Sequence, residues 1–134
     1  MRRIDMIIIH CSATEAGREY TVGDITDWHK KRGFRTIGYH FLIHTDGSID
    51  GSAEGCRPLS EIGAHAKGYN SHSIGICYIG GLKNGKPADT RTHEQTESLR
   101  LLVKVLSSIF PSVIIGHNEV SNKACPCFNV STEL

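Results

Sequence analysis

The run Ile4 to His10, IDMIIIH, constrains the fold more than any other stretch. Successive residues of an extended chain point to opposite sides, so three consecutive isoleucines leave no polar face. Such a run fits a strand buried on both faces, central in a sheet that helices cover. It stops at His10-Cys11-Ser12, where polar and small residues take over. His10 and Cys11 point opposite ways, so only one of them can face a site at the strand's end.

The other elements follow from local signals. Thr21-Val22-Gly23-Asp24 is a helix start with a capping acid, and the helix runs to about Arg32 before Gly33. Val22, Ile25 and Trp28 or His29 form its inner stripe, with His29 at the edge and no catalytic role expected. Ile37 to His44 reads as a second strand, with Asp46-Gly47 turning it into a hairpin. Alternation places Tyr39, Phe41 and Ile43 on one face, and His40, Leu42 and His44 on the other. Residues 51–72 read as a long loop with room for a short turn, and loops of that length are often functional. Ser73 to Ile79 is a further apolar strand with Gly75 inside it, closed by Gly80-Gly81, and residues 82–91 read as surface loop. Thr92 and Gln95 make a capping box for a helix reaching Phe110. Leu99, Leu102, Val103, Leu106, Ile109 and Phe110 recur along it at helical spacing. After Pro111, Val113 to Gly116 is the last strand, leading into His117. The six residues after Phe128 allow a short tail or one helical turn. Strands alternating with helices, plus one hairpin, predict a single α/β domain over 1–134: a mixed central β-sheet flanked by helices.

Composition narrows the function. A net charge of +1 gives no electrostatic case for binding nucleic acid or anionic lipid. The longest apolar run, Met6 to Ile9, is far too short for membrane insertion. Met1-Arg2-Arg3 leads straight into a strand-like run with no export signal, so synthesis in the cytoplasm is expected. Five cysteines, an odd number, then read as reduced thiols and not as a disulfide framework.

The chemistry concentrates at the end of the chain. Val113 to Phe128, VIIGHNEVSNKACPCF, runs from a buried strand into His117, then a polar loop, Lys123 and the turn Cys125-Pro126-Cys127. Imidazole and thiolate together suit zinc, whose catalytic sites use three protein ligands and leave a fourth position open. Cys125 and Cys127 are equally placed by spacing alone. His10 also ends a buried strand, and ligands in open α/β sheets bind beyond such ends.

MIIIHCSAT, IGYHF, GAHAKGYN, SIGICYIGG, IIGHNEV and KACPCF, in this order and spacing, resemble the zinc-dependent N-acetylmuramoyl-L-alanine amidases of type 2. That family shares its fold with peptidoglycan recognition proteins, and the likeness runs from about Ile7 to about Val130. The resemblance implies one Zn²⁺ per chain held by His10, His117 and Cys125. It implies catalytic assistance from Tyr39 and Lys123, and a substrate cleft lined by His65 and Asn70. It implies a peptidoglycan substrate, cut between N-acetylmuramic acid and L-alanine in an endolysin-like or prophage lysis role. Such an enzyme works on the cell wall after release from the cytoplasm, and a monomer is the default. Cys127 departs from the family pattern, where a small residue such as serine is usual. It reads either as a tolerated small side chain or as an oxidation-sensitive neighbour of the ligand thiolate.

One thiolate and two neutral imidazoles leave zinc with a net charge of about +1, so its water is less acidic than in a three-histidine site and needs help. Tyr39 is expected to orient or deprotonate that water, and Lys123 to stabilise the tetrahedral oxyanion. The competing readings are a recognition module that binds muropeptides without cutting them, and a structural zinc or redox site on Cys125 and Cys127.

Overall fold

The computed structural model describes residues 1–134. Its main sheet has five strands: β1 Met6–Cys11, β3 Phe41–Ile43, β4 Ile49–Asp50, β5 Ser73–Tyr78 and β8 Val113–Gly116. Their order is β4-β3-β5-β1-β8. β1 runs parallel to both β5 and β8, β3 runs parallel to β5, and only β4 is antiparallel. The isoleucine strand is interior, as its sequence predicts.

Alternation along β1 and β5 sorts the core into two layers. Ile7, Ile9 and Cys11 join Ile74, Ile76 and Tyr78 on one face, covered by Leu99, Val103 and Leu106 of helix α2 His93–Ile109. Leu99 has no exposed surface, and full burial of such a side chain contributes about 1.5–3 kcal/mol. On the other face, Leu42, Cys77 and Ile79 meet Val22 and Ile25 of helix α1 Val22–Lys31. His10 lies on this second face by register, paired with Cys77. Both capping boxes form as expected, at Thr21/Asp24 and at Thr92/Gln95. Gln95 does more than cap. It is fully buried, and its amide donates to the carbonyls of Ile43 and Ile79, tying α2 to the ends of β3 and β5.

In four places the structure departs from what the sequence predicts. Residues 82–91 are not plain loop: β6 Gly81–Lys83 and β7 Lys86–Pro87 form a hairpin that pairs with β2 Thr14–Glu15 as a second, small sheet. The strand expected from Ile37 is regular only from Phe41, because the His40 imidazole, not a backbone carbonyl, accepts from the Gly75 amide. Alternation therefore fails before Phe41, and Tyr39 packs with Ile37 and Leu42 instead of with Phe41 and Ile43. Ile109 is exposed on the last turn of α2. His29 is buried, not marginal: its Nδ1 accepts from the Gly38 amide at 2.9 Å. The loop 51–72 carries two short 3₁₀ turns, Ser52–Glu54 and Asn70–His72, and the chain ends in the one-turn helix α3 Val130–Glu133.

Candidate metal centre

Strand register brings the two strand-end histidines together. Ile9 pairs with Gly116, so His10 and His117, one residue further along each strand, are neighbours, and their ring centroids lie 4.5 Å apart. His117 opens a 3₁₀ turn, His117–Glu119, held by a bond from the Gly116 amide to the Glu119 carboxylate at 2.6 Å.

The cysteine arrives by a different route. The Cys125-Pro126-Cys127 turn is pinned to the core by the buried Tyr78 hydroxyl, which donates to the Pro126 carbonyl at 2.7 Å. The Cys11 amide then donates to the Cys125 Sγ at 3.2 Å. His10 Nδ1 sits 3.8 Å from the same sulfur. One donor atom from each of His10, His117 and Cys125 falls within 4.8 Å of the others. Tetrahedral zinc bonds place neighbouring donors roughly 3.3–3.8 Å apart, so this donor set fits zinc with small adjustments.

Electrostatics favour ligation over protonation. Burial depresses the His10 pKa well below the usual histidine range, helped by the neighbouring His65, His117, His29 and Lys123. Burial and then Lys123 lower His117 in the same direction. Both imidazoles are therefore neutral with free lone pairs at neutral pH.

A cleft of about 670 Å³ opens over these donors. Its walls include Trp28, His29, Arg32 and Phe34 from the end of α1 and beyond, Tyr39, the segment from Ala64 to Gly68 with Asn70, and Val120, Ser121 and Lys123. Arg32 lies over the Phe34 ring, 5.1 Å from its centroid. Arg32, Lys67 and Lys123 supply cations, and no aspartate or glutamate lines the cleft. The α1 contribution leaves no mark in the sequence, where no motif separates those residues from their neighbours, whereas Lys67 lies inside GAHAKGYN without being distinguished there as a cleft cation.

The three donors, together with Tyr39, Lys123, His65 and Asn70, all line this cleft. The Tyr39 ring is 5.1 Å from that of His10. Burial, reinforced by the Cys77, Cys125 and Cys11 thiols, raises the Tyr39 pKa well above the ordinary phenol value. Lys123 is exposed at the rim. Asn70 also works inside the loop, where its Oδ1 accepts from the amides of His65 and Ala66 at 2.9 Å each. His65 lines the cleft while its Nδ1 lies 2.8 Å from His10 Nε2. Cys127 turns away from the cleft, donating to the Gly81 carbonyl at 3.5 Å. Burial and the nearby Cys11 thiol push Cys127 up to about 11, so it is a protonated filler at neutral pH and a poor target for oxidants.

A mixed sheet whose central strands end on a cleft of imidazole and thiol donors defines a hydrolase scaffold of the amidase and peptidoglycan-recognition type. The residue pattern of the N-acetylmuramoyl-L-alanine amidases matches positions 1–128, and the chain belongs to that family. The endolysin of Escherichia phage T7 is 42% identical over 128 residues, covering 94% of this chain and 82% of that one. A peptidoglycan-recognition protein of Drosophila melanogaster is 36% identical over 111 residues, 79% of this chain and 56% of that one. Among solved structures, the amidase LysC of Clostridium intestinale superposes with a TM-score of 0.81 at 30% identity, covering 98% of this chain and 82% of that one. Drosophila PGRP-LB gives 0.76 at 28% identity, over 94% and 76%.

Proposed function

We propose that this chain is a zinc-dependent endolysin that hydrolyses the amide between the lactyl group of N-acetylmuramic acid and L-alanine in peptidoglycan. The observation that carries the reading is the convergence of His10, His117 and Cys125 beneath an open cleft. Held by these three, zinc would polarise the scissile carbonyl and supply an acidified water.

The remaining roles fall to the chain's own side chains. Tyr39, on the cleft wall with its ring 5.1 Å from that of His10, is placed to orient or deprotonate the attacking water. Lys123 sits at the rim, close enough for its charge to lower both histidine ligands, and can stabilise the negative oxygen that develops on the carbonyl. The cationic lining from Arg32 and Lys67 suits a stem peptide bearing free carboxylates. One chain forms the whole cleft, so a monomer suffices. No helix is long and apolar enough to cross a membrane. The likeness to phage endolysins is what implies release to the wall through a separate pore.

The test is product analysis on purified sacculi. New L-alanine amino termini, without new reducing sugar ends, support the reading. Binding to sacculi with no new amino termini contradicts it and points to a non-cutting recognition module.

A further inference from the structure

β5 is buried along its whole length, yet it carries glycine at its centre, where a β-branched residue would pack better. The reason is on the adjacent loop. A Cβ placed on Gly75 would stand 2.6–2.8 Å from three ring atoms of His65, closer than real contacts allow. A Cβ on Gly63 would meet the same ring at 2.7 Å. Two glycines therefore shape a slot for one imidazole. Asn70 fixes the loop that carries it, through the bonds to the His65 and Ala66 amides.

Inside the slot the ring is oriented by its two nitrogens. His65 Nδ1 faces His10 Nε2 at 2.8 Å, and His65 Nε2 lies 3.3 Å from the Ser73 hydroxyl. The His10 and His65 rings meet edge-on, at 88°. His10 thus has one nitrogen toward Cys125 and the other toward His65. Only one proton arrangement serves both ends: His10 carries its hydrogen on Nε2 and donates it to His65 Nδ1, while His65 donates from Nε2 to Ser73.

We infer that His65 is a positioning residue for the metal site, a neutral imidazole acceptor that fixes the His10 tautomer so that Nδ1 presents its lone pair beside Cys125. Ligating histidines commonly hand their second N–H to a carboxylate or a backbone carbonyl. Here the acceptor is a second histidine, so the outer partner adds no negative charge. This inference rests on the zinc-amidase reading of the same donors.

Zinc affinity, measured by competition with a chromophoric chelator, gives the first test. His65→Ala should weaken zinc roughly 10–100-fold, the usual effect of losing such a partner, with an unchanged circular dichroism spectrum. His65→Gln, which keeps an acceptor oxygen, should recover most of that loss. Gly75→Ala removes no polar group, but by crowding the ring it should weaken zinc in the same direction. Long-range ¹H–¹⁵N NMR of the unsubstituted zinc-loaded protein should show the His10 proton on Nε2. Zinc affinity in His65→Ala within threefold of the parent, or a His10 proton on Nδ1, would overturn the inference. Cys125→Ser separates this from a wrong metal site. If it abolishes zinc binding while His65→Ala does not weaken it, only the His65 role falls. If Cys125→Ser binds zinc like the parent, the ligand set itself is wrong.

Discussion

The histidines in and behind the cleft differ in kind from the histidine at the hairpin end of β3. His10, His29, His40, His65 and His117 all have lowered pKa values, with burial the largest cause in each. His44 is also partly desolvated, yet its bonds to Asp50 at 2.6 Å and Glu19 at 2.9 Å outweigh that and raise it. No carboxylate lines the cleft. One residue type thus yields neutral lone pairs in one region and a charged ion-pair partner in the other, and the placement of carboxylates decides which.

The largest break in this comparison comes from removing the anionic donor of the cleft. Cys125→Ser should lose both bound zinc and amidase activity, and full activity at equal zinc content would contradict the ligand assignment. Lys123→Ala should keep zinc and lose rate, with kcat falling about 10²–10³-fold, as when a charge-stabilising donor is removed. Equal loss of zinc in that variant would instead make Lys123 part of the metal site.

Acid stability sharpens the contrast. His29 and His40 fall to about 4 in the folded chain, against about 6.5 when unfolded. Between those values the unfolded chain binds more protons, so stability should drop as pH falls from about 6.5 towards 4, by on the order of 2–4 kcal/mol. Urea midpoints across that range measure it, and a flat profile would contradict the neutral burial of these rings. His44 has the opposite sign. Its ion pairs are fully present below its unfolded pKa and lost as pH rises through its raised folded value. His44→Gln should therefore destabilise the protein at pH 5.5 by about 0.5–1 kcal/mol, after allowing for solvent screening of the half-exposed Glu19, and by almost nothing at pH 9.

What can be read from sequence follows the same divide between local and non-local causes. β1, α1, α2 and β8 are legible because each carries a strong periodic or capping signal. His10, His117 and Cys125 are legible because each sits at a strand end or turn inside a recognisable motif. The small sheet of β2, β6 and β7 is not, since strands of two or three residues have no measurable period. The face of Tyr39 escapes the pattern because a side chain, His40, replaces a ladder bond, and alternation cannot register that. The bond between His10 and His65 joins residues 55 positions apart. Its traces in the sequence are two glycines, Gly75 inside a buried strand and Gly63 just before His65.

A metal titration of the chelator-stripped enzyme, assayed on purified sacculi, tests the three-donor centre most directly. Amidase activity should be absent without metal, rise in proportion to added zinc and level off at one equivalent per chain. Full activity in protein shown by elemental analysis to hold no metal would contradict it.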